Sequence, residues 1–120
     1  MSEPAIEELK LKLKEFAQVR DWEQFHSPKN LSMALSVEAS ELLEHFQWMT
    51  EQQSVDLTPQ RHAAVAFEMA DIFIFLLRLS DQLNIDLMEM TKRKMEINEK
   101  RYPVEKVKGS SKKYNEYDEA

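Results

Sequence analysis

The sequence predicts an all-α, four-helix bundle-like domain, and three observations carry that prediction. A single glycine among 120 residues leaves too little turn chemistry for a set of short strands. Apolar residues recur at helical spacing along most of the chain. Capping residues and prolines punctuate this pattern where helices should start and stop. The length fits one domain around one core, with no room for a separate regulatory module.

Ile6, Leu9, Leu13, Phe16 and Ala17 share one face of a first amphipathic helix from Ile6 to Val19, with lysine and glutamate between them. Asp21 to Lys29 breaks the pattern, because Pro28 disfavours helix at the residue before it, and a loop displaying Trp22 and Phe25 is expected. Asn30 is the expected N-cap of a second helix from Leu31 to about Met49, whose seam is Leu31, Leu35, Leu42 and Met49, with Phe46 beside it. The polar stretch Glu51 to Asp56 then serves as a linker. Thr58 and Pro59 supply an N-cap and a first-turn proline for the third and longest helix, which runs to about Leu83. Asp86, with Glu89 three positions on, caps a fourth helix from Leu87 to Arg101, and Pro103 stops it. Residues 1–103 are therefore the expected domain. Residues 104–120, rich in lysine, serine and acids, read as a mobile tail. Within it, Lys108 to Tyr114 is either a solvated linker or a basic flap that closes over phosphates.

A net charge of -6 opposes the electrostatics of nucleic-acid binding, so no polymer partner is expected, while one nucleotide held through a metal remains compatible. Without cysteine there is no disulfide framework and no thiolate site, and any metal must be held by oxygen or imidazole. The acidic N-terminus lacks the basic-then-apolar order of a signal peptide, so a cytoplasmic location is expected. The longest apolar stretch, Ala63 to Leu79, carries Glu68, Asp71 and Arg78 and makes a poor bilayer span, so no membrane partner is expected.

That same stretch raises the chemical question. Glu38 falls inside the seam of the second helix, where an apolar residue belongs, and Glu41 lies one turn on. Glu68 and Asp71 are the only acids of a helix that is apolar nearly all round. Burying one unpaired carboxylate costs several kcal/mol, and four close together repel. The one nearby cation, Arg78, lies two to three turns from the Glu68 and Asp71 pair. Mg²⁺ suits such a quartet because it takes carboxylate oxygens and keeps positions for water and phosphate. The competing reading, a solvated helix edge, is common for acidic pairs in a chain that is 32% charged, as Glu7 and Glu8 illustrate. It fits Glu68 and Asp71 least, since their helix offers no polar face.

The order E-x-x-E at Glu38 and Glu41, then E-x-x-D at Glu68 and Asp71, resembles the MazG-like family of the all-α nucleoside triphosphate pyrophosphatases. The stretches RDWEQFHSPKNL (Arg20 to Leu31), Phe46-Gln47-Trp48, EMADIFIFLL (Glu68 to Leu77) and KMEINEKRYP (Lys94 to Pro103) resemble its dCTP pyrophosphatase branch. The likeness runs from about Phe16 to Tyr114. It implies that Glu38, Glu41, Glu68 and Asp71 bind Mg²⁺ and serve catalysis, and that a nucleoside triphosphate is cleaved to the monophosphate and pyrophosphate. It further implies that Trp22 and Trp48 line the base pocket, that Asn98 and Tyr102 contact the nucleotide, and that Lys94 reaches the phosphates. Vertebrate members of the branch carry a histidine in the first helix where Leu13 stands here, which bears on base preference. For either tryptophan the plain alternative is core or interface packing. His26 has no second histidine at metal spacing and reads as a structural or surface residue.

Four helices totalling under 100 residues cannot enclose an apolar third helix, so a homodimer or a dimer of dimers is expected, as the resemblance also implies. The alternative function is a non-catalytic helical interaction module, in which the apolar faces bind partner helices and the acids are incidental.

Overall fold

The computed structural model describes residues 4–109. They contain α1 (Pro4–Val19), a 3₁₀ turn at Glu23–Phe25, α2 (Pro28–Glu44), α3 (Glu51–Val55), α4 (Pro59–Gln82), α5 (Leu87–Arg101) and α6 (Val104–Val107). No strand occurs among the described residues, and no helix there is long and apolar enough to cross a membrane. The all-α expectation holds.

Two compact units divide the chain, one up to Ile85 and one from Asp86 on. The second holds α5 and α6. Asp86 caps α5 by accepting from the Glu89 amide at 3.1 Å, and Tyr102 closes it, its own amide bonded to the Asn98 carbonyl at 2.8 Å. Residues 104–107 of the expected tail form the short α6, and most of the flap segment lies outside the described residues.

In the first unit, α2 starts three residues before the expected Leu31. Ser27 is the N-cap, its Oγ accepting from the Asn30 amide at 3.1 Å, with Pro28 in the first turn. Thr58 and Pro59 do the same for α4, as expected, with Thr58 Oγ1 accepting from the Arg61 amide at 3.2 Å. Asn30 sits inside the first turn instead and donates from Nδ2 to the Phe25 carbonyl at 3.0 Å. α2 ends at Glu44, short of Met49, because the amides of His45, Phe46 and Gln47 fold back on the carbonyls of Leu42 and Leu43. The expected linker after it is helical: Thr50 and Gln53 make a reciprocal capping box that starts α3.

Two helix ends close in the same way without glycine. After α1, Asp21 adopts φ 53°, its amide reaches the Gln18 carbonyl, and the Trp22 amide reaches back to Ala17 at 2.9 Å. After α4, Asn84 adopts φ 54°, with its amide on Asp81 and the Ile85 amide on Ser80. Both are Schellman closures, with a left-handed Asx residue in the place glycine usually takes. The apolar contact that accompanies such a closure is present at α1, where the Phe16 and Trp22 rings meet edge to face at 5.7 Å. The end of α1 thereby fixes where Trp22 goes.

α2 and α4 pack antiparallel. Near one end His45 Nδ1 is 3.2 Å from Arg61, near the other His26 meets Arg78, and Glu38 and Glu68 lie between. The buried apolar core is small: Leu31 from α2, Val65 and Leu77 from α4, and Ala17 from α1. Within one chain α4 is not enclosed, with Phe67 73% and Met69 57% exposed.

Candidate metal and nucleotide site

Three of the four expected acids come together. Glu38 and Glu41, one turn apart on α2, meet Glu68 from α4, with one carboxylate oxygen of each within 4.8 Å of the other two. Glu38 Oε2 and Glu68 Oε2 are buried with no hydrogen-bond partner. Ionised carboxylates only accept, so neighbouring ones satisfy each other only when one holds a proton. Burial pushes Glu38 up to about 7. The hydrogen bonds its protonated form makes to Glu68 and Glu41, and the charges of Glu41 and Asp71, add to that rise. Lys10, Lys12, Arg78 and Arg93 all pair with acids outside this set. Carboxylate oxygens that converge, two of them buried without a partner, fit a hard divalent cation.

Asp71, one turn beyond Glu68, is the exception. It is exposed and outside the trio, yet its charge acts on Glu38 and it borders a neighbouring cavity of about 300 Å³. Leu13, Phe16, Ala17, Trp22, Ile74 and Phe75 form the apolar walls of that cavity, and His26 and Arg78 are its other polar residues. Asp71 therefore joins an acid cluster to an aromatic slot. Leu13 stands in the wall of this slot.

The loop carrying Trp22 is braced throughout. Gln24 Nε2 donates to the Asp21 carbonyl and carboxylate at 3.0 and 2.9 Å, and Asn30 holds Phe25. Arg78, 4% exposed, reaches the loop from α4: its Nε and Nη2 are each 3.4 Å from His26 Nδ1, and Nη2 is 3.9 Å from Glu23. Its Nη1 is 3.5 Å from Asp81 on its own helix. Burial, and then the Arg78 charge, lower the His26 pKa, with Glu23 opposing. A larger cavity of about 490 Å³, also bordered by Arg78 and lined by Lys14, Gln18, Glu23, Asp81, Gln82 and Asn84, contains no unsatisfied buried group.

The other expected contacts lie on other elements. Trp48, 89% exposed in the turns after α2, does not line the aromatic cavity. Lys94 and Asn98 are exposed on α5 one turn apart, and Tyr102 is half-buried at its end. Sequence reasoning missed Phe16, Phe75 and Arg78 as parts of a site. The available signal was Arg78 itself, a cation in an apolar helix that needed a partner.

Comparison with known proteins gives matching results. The MazG-like family pattern matches residues 33–117. The dCTP pyrophosphatase 1 of Homo sapiens is 41% identical over 116 residues, 95% of this chain and 68% of that protein. The protein of the same name from Bos taurus is 41% identical over 117 residues, 96% of this chain and 69% of its own length. A crystal structure of a pyrophosphatase from Archaeoglobus fulgidus superposes with a TM-score of 0.80 at 41% identity, covering 86% of this chain and 96% of that one.

Proposed function

This chain belongs to the MazG-like family, and from that premise we propose that it is a Mg²⁺-dependent nucleoside triphosphate diphosphatase acting on dCTP or a modified dCTP. Water attacks the α-phosphorus, the bond from that phosphorus to the α–β bridging oxygen breaks, and the products are the monophosphate and pyrophosphate. The observation that supports this reading best is the pair of unsatisfied, buried carboxylate oxygens on Glu38 and Glu68 beside an aromatic slot that shares Asp71.

Glu38, Glu41 and Glu68, with Asp71, would hold the cation. Bound there, Mg²⁺ supplies neutralisation of the triphosphate charge and a lowered pKa for water. The protein's own share is orientation: a carboxylate of the set accepts a hydrogen bond from the attacking water, and the slot walls of Phe16, Trp22 and Phe75 hold the base. Lys94, Asn98, Tyr102 and Trp48 enter as further nucleotide contacts on family likeness alone. The dCTP preference likewise comes from the relatives' names, and Leu13 is the position where base preference would change.

We further propose that the protein works as a homodimer or a dimer of dimers in the cytoplasm, removing nucleotides before they are incorporated into DNA. The deciding assay incubates it with each common ribo- and deoxyribonucleoside triphosphate, and with 5-methyl-dCTP, in Mg²⁺ and separately in EDTA. Mg²⁺-dependent dCMP and pyrophosphate are the expected products. No turnover of any nucleotide would favour an interaction module instead.

A further inference from the structure

Arg78 is the one charged side chain that is buried among the described residues, and it is placed where an apolar helix would otherwise continue. Asp81 and Glu23 offset its charge, but two of its donors are aimed elsewhere, at His26 Nδ1. A guanidinium has no lone pair to offer, so Nδ1 must accept and cannot carry a proton. A neutral imidazole in that setting carries its proton on Nε2. Burial and the guanidinium charge both favour the neutral ring. Nε2, on the opposite edge of the ring from the guanidinium, has no hydrogen-bond partner among the described residues, and His26 borders the aromatic cavity.

We propose that Arg78 is a positioning residue that locks His26 into the Nε2–H tautomer, so that His26 donates a hydrogen bond to an acceptor atom of the base held between Phe16, Trp22 and Phe75. This rests on the reading above that a nucleotide base occupies the slot. His26 then helps set specificity: a carbonyl oxygen or bare ring nitrogen is accepted at that point, and an N–H is rejected because two donors would face each other. Arg78 acts only through the ring it orients. The contact to Glu23 and the Asn30 bond to Phe25 keep the loop, and hence the imidazole, in register with α4.

The test is imidazole ¹⁵N spectroscopy of the full-length protein, followed by hydrolysis kinetics with dCTP on the same samples. Wild type should show His26 as the Nε2–H tautomer. Arg78→Met should lose that single-tautomer signature and raise KM about five- to tenfold, the loss of one hydrogen bond, with a smaller change in kcat. Arg78→Lys, which keeps a cationic donor, should recover part of the loss. His26→Gln, whose longer side chain carries an amide donor toward the Nε2 position, should bind dCTP better than His26→Asn. An Nδ1–H tautomer in the wild type, or an unchanged KM and spectrum in Arg78→Met, overturns the proposal. Should Arg78→Met not fold, the wild-type tautomer and the Gln/Asn comparison decide it. Absence of hydrolysis by the wild type would instead overturn the functional reading on which the base contact rests.

Discussion

Glu38 holds its proton up to about pH 7, whereas a free glutamate has a pKa of 4.5. Between those values the metal-free folded chain carries a proton that the unfolded chain has lost, so this group makes stability fall as pH rises through the window and level off above it. Glu38→Gln should remove that slope and leave the metal-free protein more stable at neutral pH, read as a higher urea midpoint. The same substitution, or Glu68→Gln, should cut turnover by more than about 100-fold, beyond what a supporting partner of a metal ligand usually costs. A stable, fully active Glu38→Gln protein would remove the acid cluster from the mechanism. These acids were legible in the sequence because each interrupts an apolar pattern. The Arg78 and His26 pair was not, since 52 residues separate them and only the antiparallel pairing of α2 and α4 joins them.

At the scale of elements, the starts of helices were readable and their ends less so. Thr58-Pro59 announces α4, and Ser27-Pro28 carries the same signature for α2, but Asn30 is also a capping residue and stands next to the first apolar residue of the seam, so the sequence offers two starts. Ser27→Ala and Thr58→Ala should each cost about 1 kcal/mol in denaturant unfolding. Asn30→Ala should act differently, freeing the Phe25 carbonyl and loosening the loop while leaving helix content intact by circular dichroism. α3 is hidden in the sequence although Thr50-x-x-Gln53 spells a capping box, because five residues carry too little periodicity to register as a helix. The left-handed closures at Asp21 and Asn84 carry no glycine to mark them, and their geometry depends on a contact, Phe16 on Trp22 in the first case, that forms only when the chain turns. Asp21→Ala should cost about 1–2 kcal/mol, because alanine brings the same steric conflict without a side-chain bond to Gln24. A wild-type midpoint would show that the closure does not depend on the Asx residue.

At the scale of the molecule, the described residues leave many large apolar side chains in water. Trp48, Val55, Phe67 and Met69 are all more than half exposed, while only four apolar residues are buried among the described residues. The sequence anticipated this, because a helix apolar nearly all round cannot be covered by three neighbours. Phe67→Asp should shift light scattering toward the single-chain mass, and a wild type that is already monomeric at micromolar concentration would exclude self-association. The unsatisfied oxygens of Glu38 and Glu68 also have a consequence for the protein's persistence in a cell. A ligand that binds only the folded form adds about 1.4 kcal/mol of stability for each tenfold excess over its dissociation constant. With Mg²⁺ as the proposed ligand, the fraction of time the chain spends open to proteases would follow the free Mg²⁺ level, and a cell short of that ion would lose this protein by degradation as well as by idling.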